Sequence, residues 1–350
     1  MENKKKVRIL TLDGGGIRGI IPAIIIKYME AYLVKKVPGT TISDHFDFIS
    51  GTSTGGILTA IYLTPQDENK NKAKYTASEA LDFYVNEGHG IFNASKLKGL
   101  KRLWGVGNAT KYSPKKLEHL LKEKFGNLLM SQLLKPCLIP TYDMNTKSSF
   151  FFTSTEDTTK REYFVRDVLR STSAAPTYFP PAKIKNIAPN QEENEMLNLD
   201  GGVFANNPTM CAYAEVRNTN FEERNNNEPT ASQMYILSIG TGGGGFQLKR
   251  KHKSHKWSLM RWAKSIPEIM MDGSIDAVAF QMNEIHETLQ PNTQGSYLRI
   301  DTPKNSRNYS SDMSNASPKN IKNLLKAGNK TLEYAKANGL DKFLDGLLDS

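Results

Sequence analysis

The chain has 350 residues of moderate hydrophobic content and no low-complexity repeat, enough for one sizeable domain or two around a large core. Its two cysteines, Cys137 and Cys211, are too few for a disulfide framework or a zinc site, and no run approaches the roughly 18 apolar residues of a membrane span. The net charge of +10 favours anionic partners, such as phospholipid surfaces or nucleotides, and is equally the balance of a plain lysine-rich surface.

Val7 to Leu12 alternates and is rich in β-formers, which predicts a buried first strand. The basic start before it (MENKKKVRIL) resembles the opening of a secretion signal. Its apolar run is too short, however, and leads into Asp13 and three glycines instead of a cleavage site, so a cytosolic protein is expected. Asp13-Gly14-Gly15-Gly16-Ile17-Arg18-Gly19 follows, and then Ile20, Ile24, Ile25, Tyr28, Met29, Tyr32 and Leu33 at helical spacing. The loop holds a formal G-x-G-x-x-G at Gly14, Gly16 and Gly19, so a dinucleotide site has to be weighed. That reading needs an acidic residue about 20 residues on, at the end of the second strand. The region reads LVKKVPGT, and the second strand ends in Ser50 and a serine turn. The alternative is an anion site in which glycine N–H groups point into one cavity; beside a nucleophile, that cavity is an oxyanion hole.

Phe46 to Gly56 (FDFISGTSTGG) is the stretch on which the chain is organised. An apolar run ends in Gly51-Thr52-Ser53-Thr54-Gly55, and Ile57, Leu58, Ala60, Ile61 and Leu63 then repeat at helical spacing. Strand, tight turn with serine, helix is the layout of a nucleophile elbow. The turn strains the serine backbone and pushes Oγ out of the sheet, so the residues two before and two after it must be small. A G-x-S-x-G occurs by chance in roughly one such chain in ten, so the motif alone decides nothing.

Thr76 to Phe92 is helix-like. Ser95 to Lys124 is markedly basic, with Leu97, Leu100, Leu103 and Trp104 interleaved, and reads as a solvated loop and helix or as a membrane-facing insertion. CLIPTY at Cys137 and SFFFT at Ser149 read as a strand pair, and Arg166 to Pro181 as a helix closed by a proline-rich turn of small residues. A short strand through Leu197 and Leu199 delivers Asp200 into a glycine pair, where flexible backbone lets the carboxylate turn inward; an ordinary Asp-Gly turn looks the same. Asn218 to Ser232 reads as a polar surface loop, and Met234 to Ile239 as a central buried strand ending in a second glycine loop. Leu248 to Lys264 carries seven Lys and Arg and no acid, with Trp257 and Trp262, and is the best candidate for a membrane-surface or polyanion contact; Pro267 should limit any helix there. Tyr297 to Ile300 looks like a last strand, Lys304 to Lys319 a polar linker, and Asn320 to Leu348 a terminal helical region.

Alternating strands and helices argue for an α/β fold with a mostly parallel central sheet covered on both faces. The loops Asp13–Gly19, Gly51–Gly55 and Asp200–Gly202 all follow strands, and in such a sheet they gather at one edge. None of the six histidines lies in these glycine-framed loops, so a serine nucleophile here has to find another base.

DGGGIRG, GTSTG and DGG, in that order, resemble the patatin-like phospholipase family, as do TSAAPTYFPP, LDGGVFANNP and LSIGTG. The resemblance spans about residues 7 to 245 and implies a three-layer single domain over 1–350 and a lipid acyl hydrolase with a Ser-Asp dyad. It implies Ser53 as nucleophile, Asp200 as base, Gly14, Gly15 and Gly16 as the oxyanion loop, Arg18 as its support, and Gly51 and Gly55 as the elbow glycines. Neither a metal nor another cofactor is implied. The substrate expected is a phospholipid membrane surface, reached by a cytoplasmic protein in peripheral contact with an inner membrane. The lysine content looks bacterial, and some bacterial members of the family are antiphage effectors switched on by a cyclic di- or trinucleotide, which makes such a nucleotide a candidate activator. A homo-oligomer is open; binding to a nucleic-acid polymer has no supporting motif. The rivals are a nucleotide-binding module using the G-x-G-x-x-G loop and a catalytically silent lipid-binding protein.

Overall fold

β1 (Val7–Leu12) runs through the middle of the sheet in a computed structural model that describes residues 5–67, 72–92, 110–190, 195–243, 259–289 and 296–350. The other strands are β2 (Phe48–Gly51), β3 (Cys137–Asp143), β4 (Ser148–Thr153), β5 (Ala182–Lys185), β6 (Glu195–Asp200), the two-residue β7 (Asn220–Phe221) and β8 (Asn226–Asn227), β9 (Met234–Ile239) and β10 (Tyr297–Ile300). The helices are α1 (Ile20–Lys36), α2 (Ile42–His45), α3 (Thr54–Leu63), α4 (Ala77–Ile91), α5 (Lys115–Phe125), α6 (Val165–Thr172), α7 (Gly202–Ala205), α8 (Thr209–Arg217), α9 (Leu259–Glu287), α10 (Pro318–Ala337) and α11 (Leu340–Asp349).

The strand order is β10-β9-β1-β2-β3-β6-β5, with β4 also on β3. β10, β9, β1, β2 and β3 are mutually parallel; β4 and β6 run antiparallel to β3, and β5 antiparallel to β6. Largely apolar strands such as β9, buried at all six positions, belong in such a sheet because helices cover both its faces. The alternation in β1 feeds two cores. Val7 and Ile9 join Phe48, Ile236 and Met282 under α8 and α9, whereas Leu10 and Leu12 join the larger core of α1, α3, α4 and α6. α1 is apolar nearly all round because α4 and α10 both pack on it; a Cβ on Gly328 would strike the Ile24 side chain and stand 3.5 Å from Ile21 Cα.

β3 is the junction between the parallel and antiparallel parts. β4 takes one edge from Leu138 to Asp143. The other edge is shared: β2 pairs with Cys137 and Leu138, and β6 pairs further along with Thr141 to Asp143. All three site loops follow strands as expected, but the third follows β6, which runs antiparallel to β3. Asp200 still arrives at the same place, because it stands opposite Thr141, just past the end of β2, on a strand running the other way.

Two further readings change. The segment 218–232 is not simply a surface loop: β7 and β8 pair there, Phe221 and Asn226 are buried, and Arg224 Nε lies 2.9 Å from the Asp47 carboxylate. Pro267 does not limit the helix, since α9 runs through it; burial of Ile275 and Met282 further along offsets the lost backbone bond. Residues 93–109 and 244–258 lie outside the described residues, and with them half of the first basic stretch, most of the second and part of the second glycine loop.

Candidate active site

Gly51, Ser53 and Gly55 form a strand-to-helix turn whose geometry explains its composition. Ser53 has φ 53° and ψ −117°, a left-side backbone conformation that costs on the order of 1–3 kcal/mol in a non-glycine residue. A Cβ on Gly51 would land on the Gly55 backbone, and a Cβ on Gly55 on the Leu12 carbonyl, closer than carbon can approach. The turn is held by Thr52, whose amide donates to Leu12 O (3.1 Å) and whose hydroxyl donates to Ala205 O (2.6 Å). Thr172 anchors the serine itself: its Oγ1 accepts from Ser53 N (3.0 Å) and donates to Pro140 O (2.7 Å). Ser53 then caps α3, so its side chain stands at the positive end of a ten-residue helix.

Asp200 ends β6 and is buried. Its Oδ1 accepts from Gly202 N (2.7 Å), and the Ser53 hydroxyl lies close enough to act on its carboxyl. Burial pushes its carboxyl up to about 7, with the Gly202 amide and the Ser53 hydroxyl pulling back down. The backbone needs both glycines after it, because a Cβ on Gly201 would strike Pro140 O and one on Gly202 would sit 3.0 Å from Asp200 Oδ1. No histidine approaches this pair among the hydrogen bonds described.

The third loop lies against Ser53: a Cβ on Gly14 would stand 3.4 Å from Ser53 Cβ. Gly14 is fixed by its neighbours, donating to Asn206 O (3.0 Å) while its carbonyl accepts from Thr241 Oγ1 (2.6 Å). Gly16 has φ +58° and opens a short 3-10 turn to Gly19. Ile17 N donates to Met313 O (2.9 Å) and Arg18 N to Gly15 O (3.2 Å). The amides of Gly15 and Gly16 precede these donors and are the free ones at the start of the turn. Arg18 is buried, and its Nε donates to Gly15 O (3.3 Å), which sets the tilt of that peptide.

A narrow apolar cavity opens on Ser53. Ile57, Phe83, Ile91 and Phe179 wall it, with Gly16, Tyr178 and Met313 towards the oxyanion loop. Ser173 Oγ is a buried polar atom in this wall with no described partner. Such a slot suits an acyl chain bearing one carbonyl end. A larger hollow beside β4 is polar and holds none of these groups. Among the described residues no group of His, Cys, Asp and Glu could hold a metal, and no helix is long and apolar enough to cross a membrane.

The family model for patatin-like phospholipase matches residues 10–213. The chain belongs to the patatin-like phospholipase family. It is 34% identical to patatin-like protein 2 of Oryza sativa subsp. indica, over 95% of this chain and 85% of that one. It is 34% identical to patatin-like protein 2 of Arabidopsis thaliana over 84% of this chain and 75% of that one, and 30% identical to the probable inactive patatin-3-Kuras 1 of Solanum tuberosum over 84% and 78%. The crystal structure of VipD from Legionella pneumophila aligns with a TM-score of 0.39 and 13% identity, covering 97% of this chain and 67% of that one.

Motif reading placed Ser53, Asp200 and the three glycines in one place, and that is where the fold has them. It missed the parts that hold them. Thr172, Asn206 and Thr241 lie inside segments already noted for family resemblance, and their side chains were the available signal. Arg299 and Met313 had none. The stretch read as a polar linker, 304–319, is in fact a wall of the site: Met313 and Ala316 are buried, and Met313 O meets the oxyanion loop.

Proposed function

We propose that the protein hydrolyses carboxylic esters of glycerolipids, phospholipids among them, with Ser53 as nucleophile and Asp200 as its base. The observation that carries this reading is a buried carboxylate beside an elbow serine that lines an apolar slot. Ser53 Oγ attacks the acyl carbonyl and its proton passes to Asp200 as the Oγ–C bond forms. The electron pair displaced onto the carbonyl oxygen is met by the Gly15 and Gly16 amides; losing one such donor typically costs about 3–4 kcal/mol. Collapse breaks the ester C–O bond, and the leaving alcohol takes the proton from Asp200. Water, losing a proton to Asp200, attacks the acyl-serine and releases the fatty acid.

An aspartate with a reference pKa near 3.9 is a poor base for serine in water. Burial that raises Asp200 to about 7 supports the role. Labelling with a fluorophosphonate probe, mapped to peptides, is the test: modification of Ser53 that vanishes in Ser53→Ala supports the reading, together with loss of ester turnover in Asp200→Asn. Full turnover by either variant would sink it. Unlabelled protein that binds nicotinamide or flavin would favour the nucleotide module, and unlabelled protein that binds lipid the silent relative.

The role of a cyclic-oligonucleotide-switched antiphage effector has no observation in its favour at this site, and the sequence relatives given above are plant proteins. A rise in ester turnover on adding cyclic di- or trinucleotides would bring it back.

A further inference from the structure

α9 has two apolar faces, and the core uses one. Ile275, Val278, Met282 and Ile285 turn inwards onto the sheet. On the opposite side Ile266, Ile269, Met270 and Phe280 are 44%, 38%, 53% and 65% exposed, and Gly273 and Ala277 continue the same exposed line. At 3.6 residues per turn these positions fall within about 100° of the helix surface and run roughly 20 Å along it. They are four of the eight large hydrophobics exposed among the described residues; the other four are scattered. A stripe of this kind on a water-facing helix marks a contact surface.

Its place on the molecule says what it meets. Glu268, in the same turn as Ile269, lies within electrostatic reach of Arg18 and of Tyr178 in the cavity wall. One turn on, Asp272 and Ile275 stand against Gly243, next to the loop that holds Gly14. The inner side of α9 thus stands beside the loops of the site, and the stripe lies on its outer side. Charge points the same way: the chain carries +10 overall, and the sequence from Leu248 to Lys264, whose last six residues begin the helix, has seven Lys and Arg and no acid. Asp276 flanks the stripe and Glu284 closes its far end, which limits it to shallow insertion.

We propose that the outer face of α9, centred on Ile269, Met270 and Phe280, is the surface by which the protein lies on a phospholipid layer. The proposal rests on the reading of Ser53 as a lipid hydrolase and adds where the lipid is met.

The experiment uses full-length protein carrying Ser53→Ala, so that vesicles are not consumed. It is compared with the same protein carrying Ile269→Ser, Met270→Ser and Phe280→Ser, and with the milder Phe280→Ser alone. Co-sedimentation with vesicles of equal phosphatidylcholine and phosphatidylglycerol should fall at least about tenfold in the triple variant and less in the single one. With Ser53 intact, turnover of a short-chain soluble ester should be unchanged by the same substitutions. Equal partitioning of all forms overturns the proposal. So does a parent dimer that becomes monomeric in the triple variant, or a clear drop in melting temperature in Phe280→Ser, which would mean that protein covers the stripe. Absent soluble-ester turnover with the vesicle difference intact would instead remove the hydrolase reading and leave the docking surface.

Discussion

Arg299 grips Asp13 with both terminal nitrogens, Nη1 at 2.8 Å from Oδ1 and Nη2 at 2.5 Å from Oδ2, immediately before the oxyanion loop begins. The arginine reaches there from β10, across β9, where it also donates to Ser238 Oγ (2.8 Å). Burial pushes the Asp13 carboxyl up, and the guanidinium holds it down. Removing one partner strands a buried charge, which typically costs about 3–5 kcal/mol. Arg299→Met should therefore lose that much stability in urea titration and lose ester turnover with it. Arg299→Met with Asp13→Asn should recover part of both, since the stranded charge is gone. A single variant as stable as the parent would show that the pair carries nothing.

Asp200 ties activity and stability to the same pH window with opposite signs. As base it must be ionised, so kcat/KM for a soluble ester should rise with pH and level off above about 7. Stability runs the other way. The folded carboxyl holds its proton to about 7 and the unfolded one only to 3.8, so between these values the folded state binds more protons and stability falls as pH rises. Asp200→Asn removes the titration. Its unfolding free energy in urea titration should match the parent near pH 4 and exceed it at pH 8, by an amount on the order of a few kcal/mol. Parallel pH curves for the two proteins would place the raised group elsewhere.

Lys111 ties the far side of the site together. Its Nζ donates to Asp312 Oδ2 and Ser314 Oγ, both at 2.8 Å, on either side of the Met313 carbonyl that holds Ile17. The pair is partly exposed, so its loss should move stability by less than about 1 kcal/mol. Lys111→Met should instead lower kcat several-fold with little change in KM for a short ester, and Lys111→Arg should restore most of it. An unchanged kcat would leave the contact structural.

Two glycines should answer oppositely to alanine. Gly55→Ala drives a methyl into the Leu12 carbonyl, so Ser53 labelling and cooperative melting should both be lost. Gly273 lies in α9 with nothing within 4 Å of a new Cβ, and Gly273→Ala should stabilise by up to about 1 kcal/mol. Calorimetry on the pair separates steric exclusion from backbone entropy.

The parallel half of the fold was legible because its signals are local. The β1 alternation, the glycine spacing around Ser53 and the capped helix from Thr76 each express a steric rule within a few residues. The antiparallel arrival of β6 was not, since strand direction depends on what lies between strands and Asp200-Gly201-Gly202 reads the same either way. Met313 and Arg299 were invisible for a related reason. One contributes a backbone carbonyl, which any residue has. The other is an arginine in a short strand, whose partner lies 286 positions away. Pro267 misled because a propensity of about 3 kcal/mol is outweighed when the rest of a helix buries a full apolar face.

β3 acts as a ruler for the chemistry. Ser53 is registered to it through β2 at Leu138, and Asp200 through β6 at Thr141, so the two groups meet only because separate pairings on one strand edge agree. Sliding β6 by a single residue would carry the carboxylate about 3.4 Å along the strand and turn it to the opposite face of the sheet. The serine would be intact, the slot unchanged and the protein folded, yet it would lack the base proposed for it. A family built on this frame can therefore fall silent through a shift in strand register alone, with every motif residue still in its sequence.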